Sequence, residues 1–162
     1  VTLVSLRLSR RRALVYGTLV VGVLDIADAI VFFGLRNGAA PIRILQSIAR
    51  GLIGGGAYHG GLATAALGLF LHFFIAFIIV AVYYTLSTRI PLLARHPVIG
   101  GTLYGIAVYC VMTLVVVPVS AAGEQALVLP VVMNGLLIHI FGVGIPSALF
   151  ARAGVTPRSP KS

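Results

Sequence analysis

Residues 61–86 read GLATAALGLFLHFFIAFIIVAVYYTL and contain no Asp, Glu, Lys or Arg. At ~1.5 Å per residue such a run exceeds the ~30 Å hydrocarbon layer of a bilayer, and in lipid its backbone amides must be satisfied within the segment, as a helix. Three further apolar runs, at about 13–35, 97–119 and 126–151, have the same character. With 59% hydrophobic and 9% charged residues the chain departs far from soluble domains, where roughly 25% of residues are charged. The alternating short segments of a transmembrane β-barrel are missing from the pattern. The expected fold is an all-α membrane protein: a single four-transmembrane-helix bundle over residues 1–151, followed by a disordered tail at 152–162.

The net charge of +9 suits a nucleic-acid binder in size but not in distribution, because the basic residues stand at the ends of the spans. Arg7, Arg10, Arg11, Arg12, Arg89, Arg95, Arg152, Arg158 and Lys161 would share one side, and Arg36, Arg43 and Arg50 the other. The positive-inside rule then places both termini in the cytoplasm. A cleavable signal peptide built on Arg10–Arg12 is the rival reading of the first span, and Asp25 and Asp28 argue against it by interrupting the apolar region. The single Cys110 forms no internal disulfide and no Cys-x-x-Cys motif.

Gly-Leu-Phe-Leu-His-Phe-Phe-Ile at 68–75 and Gly-Leu-Leu-Ile-His-Ile-Phe-Gly at 135–142 align without gaps. Gly17-Thr18-Leu19 matches Gly101-Thr102-Leu103 in the same sense. Spans one and three, and two and four, would then correspond as two pseudo-repeated helical hairpins of like orientation. The first hairpin is longer by an insert at about 41–57. There Arg43, Gln46, Ser47 and Arg50 share one face, opposite Ile42, Leu45, Ala49 and Leu52, with Pro41 suited to a first turn. Two readings fit: an amphipathic helix lying in the membrane interface through Arg43, Gln46 and Arg50, or a lid packed on the bundle.

Ionisable groups inside a span cost roughly 2.5–3.5 kcal/mol each on insertion scales, and so tend to face inward and mark a function. Counted from the cytoplasmic ends, Asp25 and His139 lie at about 18 Å, His72 at about 21 Å and Asp28 at about 22 Å. Tyr109 falls at the same level. Asp25, Asp28, His72, Tyr109 and His139 are therefore the candidate polar site. Four readings of it stay open. Two imidazoles and two carboxylates suit a metal ion such as Zn, Fe or Mn. His72 and His139 could hold a b-type haem. The same groups could relay protons or bind a small cation, without enzymatic chemistry. Alternatively they glue helices together in a scaffold or accessory subunit of a membrane complex, with no cofactor. The familiar hydrolase signatures Gly-x-Ser-x-Gly and His-Glu-x-x-His do not occur.

Asp25, the stretch Ile44-Leu45-Gln46-Ser47-Ile48-Ala49-Arg50-Gly51, and Gly68 through Phe77 resemble the YagU-like family of bacterial inner-membrane proteins. The similarity extends over about 15–150 and includes Pro97–Pro118, where the family also shows a Gly- and aromatic-bearing span ending in proline. The resemblance implies a four-span core in the bacterial inner membrane. It implies no catalytic residues, and only a loose association with acid tolerance. Expected partners are the lipid bilayer and a homo-oligomer or membrane complex, with no nucleic acid.

Overall fold

The computed structural model describes residues 8–124 and 126–155. Arg7, Arg158, Lys161 and most of the expected tail lie outside the described residues. Four helices are long and apolar enough to cross a membrane: α1 (Arg10–Asn37), α3 (Gly61–Arg89), α5 (Pro97–Val119) and α6 (Leu129–Gly154). Two shorter helices join them, α2 (Pro41–Ile53) between α1 and α3 and α4 (Pro91–Arg95) between α3 and α5.

Local chemistry sets the ends. Ser9 is extended and its side chain accepts from the Arg12 backbone N–H at 3.4 Å, so α1 starts through the three arginines and not after them. It stops at Gly38, whose φ of 70° suits glycine and whose N–H returns to Gly34 O, while Ala39 N–H reaches Phe33 O. Pro41, Pro91 and Pro97 open α2, α4 and α5 at a position where a missing N–H costs nothing. The fourth span begins three residues later than expected, at Leu129, with Pro130 in its first turn.

Two of the spans are not uniform α-helices. Residues Met112–Val116 in α5 and His139–Gly144 in α6 form π-helical turns, each ending two residues before a proline, Pro118 and Pro146. A proline inside a helix removes one N–H and its ring collides with the carbonyl four residues back. Widening the preceding turn to the π register relieves that collision, and such turns gather at functional sites.

The bundle is assembled inside out. Large apolar side chains such as Phe70, Phe74, Leu103, Leu114 and Phe141 face outward, where lipid is their natural solvent. The helices meet through smaller ones. One cluster joins Ala13, Tyr83, Tyr84, Ala148 and Ala151, and another joins Val21, Ala76, Val80, Val108 and Val143. α6 touches α1, α3 and α5, while α3 and α5 make no extended contact with each other. Small residues at crossings are the usual means of close approach in membranes, since lipid offers no hydrophobic drive to associate.

Hydrogen bonds gather the helix ends as the charge pattern requires. At one end Leu8 N–H donates to Ala153 O, the Tyr84 hydroxyl donates to Gly154 O, and the Arg10 guanidinium lies over the Tyr84 ring. This basic end also holds Arg89, Arg95 and Arg152. At the other end Ala121 N–H donates to Gly51 O and Arg50 donates to Ala122 O at 2.6 Å, tying α2 to the α5–α6 loop.

The insert is a packed lid. α2 buries Ile44, Gln46 and Ala49, and α3 fits beneath it because Gly68 has no Cβ to strike Leu45 O. Gln46 thus corrects the expectation that it shares an outward polar face with Arg43 and Arg50. It is 2% exposed and donates to Gly61 O at 3.0 Å and toward Thr64 Oγ1 at 3.4 Å, closing the start of α3 onto α2. The glycine-rich segment that follows α2 is a 3₁₀ turn, Gly54–His59.

Candidate functional site

The polar groups of α1 and α3 meet across one close helix contact. Asp25 and Asp28 are one turn apart on α1, and Gly22 lies a further turn back. His72 of α3 reaches this turn with its Nε2 at 2.8 Å from Gly22 O, and its Nδ1 at 3.9 Å from Asp25 Oδ2. A carbonyl oxygen only accepts, so Nε2 carries a proton. Nδ1 then faces a carboxylate oxygen, and two lone pairs there would repel. The contact is an ion pair when the imidazole is protonated. His72 is 10% and Asp25 30% exposed at the side chain, so bulk water does not screen the interaction fully.

Asp28 pairs with a residue that sequence reasoning missed. Asn134 of α6 donates from Nδ2 to Asp28 Oδ2 at 2.7 Å. Asn134 lies one residue before Gly135 of the second Gly-x-x-x-His segment, and a polar amide among Val131, Val132 and Leu136 was the signal available.

His139 is held differently from His72. Its Nδ1 donates to Gly135 O at 2.8 Å, within its own helix, leaving Nε2 with no protein partner among the described residues. The Tyr109 ring stands edge-on to the imidazole, centroids 5.5 Å apart, and occupies the space that a Cβ on Gly135 would take. The two Gly-x-x-x-His segments therefore use their glycines for unlike contacts, Gly68 for the α2 backbone and Gly135 for a phenol ring. Sequence identity between them does not carry over to bonding.

Two cavities connect these groups. One, of about 890 Å³, is lined by Asp25, His72 and His139 and continues along α1 to Asn37 and along α2 to Arg43 and Arg50. The other, of about 160 Å³, is lined by Asp25, Asp28, Asn134 and His139. Asp25 and His139 border both. The five residues expected to form one layer are thus brought into a single region, in three contacts: Asp25 with His72, Asp28 with Asn134, and Tyr109 with His139. The first of these is a buried His–Asp ion pair amid apolar helices.

The lining of the larger cavity stops short of the basic end, at Val21 and Ile79. There the Tyr104 hydroxyl donates to Ile79 O at 2.7 Å, and the Tyr83 and Tyr104 rings pack edge-to-face at 4.9 Å. Below them sits the Ala13, Tyr83, Tyr84, Ala148, Ala151 cluster.

Arg43 and Arg50 are outward relative to Gln46 but not idle. Arg43 donates to Tyr58 O at 3.1 Å and lies over the Tyr58 ring, and Arg50 holds Ala122 O as described. Among the described residues no group of three or more His, Cys, Asp and Glu side chains converges to hold a metal ion. Comparison with family models, with curated proteins and with solved structures finds no match for this chain.

Proposed function

We propose that this is a bacterial inner-membrane protein of the YagU-like kind, with both termini cytoplasmic, that binds and passes protons at the Asp25–His72 pair without enzymatic chemistry. The observation that carries the reading is the bonding of His72. With Nε2 committed to Gly22 O, Nδ1 is left facing Asp25 Oδ2 at 3.9 Å inside a helical bundle, the nitrogen at which a proton would be taken up beside a carboxylate. The large cavity supports it by leading from the α2 end to the pair. His139, with an uncommitted Nε2 on the same cavity, is the next group a proton would meet.

The metal and b-haem readings require more rearrangement. A haem iron between His72 and His139 would have to take His72 Nε2 away from Gly22 O. A metal ion would have to draw Asp28 from Asn134, or a third ligand from farther off.

Reconstituted vesicles test the proposal. Under an imposed pH gradient the wild-type protein should dissipate the gradient faster than protein-free vesicles, and Asp25→Asn and His72→Gln should each remove most of that excess. Equal rates for all three proteins would reject proton passage and leave a scaffold role. A Soret band or stoichiometric metal in the purified protein would favour the redox alternative.

A further inference from the structure

The roughly 890 Å³ cavity is larger than a proton path needs. It lies at the upper end of the ~300–1,000 Å³ typical of sites for small organic ligands. Its walls are mostly hydrocarbon, with Ile26, Phe33, Ile48, Ile75, Ile79 and Val116 among them. At the α2 end the lining turns basic. Arg43 and Arg50 are seven residues apart, two turns on one face of α2, and both border the cavity. Their protein partners are backbone carbonyls and an aromatic ring, which use only part of the five N–H donors each guanidinium carries. Among the described residues neither has a carboxylate partner, the ion pair between His72 and Asp25 being elsewhere.

The cavity is longer than one leaflet is deep. Along α1 the cavity runs from Asn37 to Val21, sixteen residues or about 24 Å. Half of a ~30 Å hydrocarbon layer is about 15 Å. A single hydrocarbon chain whose head is held at Arg43 and Arg50 has room to run inward along this length. It could also enter from the side, since α3 and α5 both line the space and make no extended contact with each other.

We propose that this cavity binds an amphipathic monoanion with a single hydrocarbon chain, of the fatty-acid class, its head at Arg43 and Arg50 and its chain between α3 and α5. Guanidinium groups recognise carboxylate oxygens through paired N–H donors, and the apolar shaft rewards burial of the chain. Its recognition elements lie at the opposite end of the cavity from Asp25 and His72, so its test does not depend on proton passage.

Photolabelling in phosphatidylcholine nanodiscs tests it. A long-chain fatty acid bearing a diazirine near its tail, followed by peptide mass spectrometry, should mark Ile75, Ile79, Met112 or Val116. The corresponding fatty alcohol should label these positions about tenfold less, as expected when a charge-assisted contact is lost. An Arg43→Gln, Arg50→Gln double variant should show a similar drop with the acid, and Arg36→Gln, at the same end but off the cavity, no drop. Labels confined to the outward residues Phe70, Phe74 and Leu114 would overturn the proposal, as would equal labelling by acid and alcohol. Preferential labelling of the cavity by a two-chain phosphatidylglycerol probe would overturn the single-chain assignment. If the double variant fails to fold, the acid-against-alcohol comparison on the wild-type protein decides alone.

Discussion

Asp25, Asp28, His72 and His139 were legible as a polar level because each interrupts an apolar run at the same distance from a basic helix end. Their partners were not. Which nitrogen of His72 is protonated depends on Gly22 O, a backbone atom with no sequence signature. Asn134 escaped notice because an amide within a span is cheaper than a charge and stands out less. The pairings differ in what their loss should do. Asn134→Leu leaves Asp28 without its donor and should destabilise the bundle by about 1 kcal/mol, the scale found for interhelical hydrogen bonds in membranes, where the separated helices also find partners. Thermal or chemical unfolding in lipid or detergent checks this, and Asp28→Asn, which keeps an acceptor for the Asn134 amide, should cost less than Asn134→Leu.

At the scale of elements, the spans were readable to within about three residues, since length and hydropathy are fixed by the bilayer. The departures come from local chemistry that window-based reading passes over: the Ser9 cap extends α1 through Arg10–Arg12, and the prolines at 118 and 146 impose π turns on α5 and α6. The insert was read as a helix correctly but its inward residue was not. Helical spacing assigns Gln46 to the face of Arg43 and Arg50, whereas packing against Gly68 turns Gln46 toward the start of α3. Two outcomes follow. Gly68→Val places a side chain against the Leu45 carbonyl and should pry α2 from α3, raising the rate at which cysteines introduced at Ala49 react with a maleimide. Gln46→Leu should loosen the same joint less, because α2 keeps the buried Ile44 and Ala49.

For the molecule as a whole, the asymmetry of the bundle is its main property. One end is basic and sealed by tyrosines and alanines; the other carries a lid with two arginines over a cavity that reaches the Asp25–His72 pair. In a Cys110→Ala background, cysteines at Ser9 and Ser120 should therefore react with membrane-impermeant maleimide from opposite sides of oriented vesicles, Ser120 from outside the cell if the basic end is cytoplasmic. Labelling of both from one side would contradict the arrangement of four crossings.

The His72–Asp25 pairing is tested most directly by ¹⁵N NMR of histidine-labelled protein in lipid bilayers, with His72 assigned through His72→Gln. The account predicts that His72 Nε2 carries the proton donated to Gly22 O, and that the Nδ1 resonance shifts in Asp25→Asn but not in Asp28→Asn. A His72 ring protonated at Nδ1 with a bare Nε2, or a Nδ1 resonance indifferent to Asp25, would contradict it.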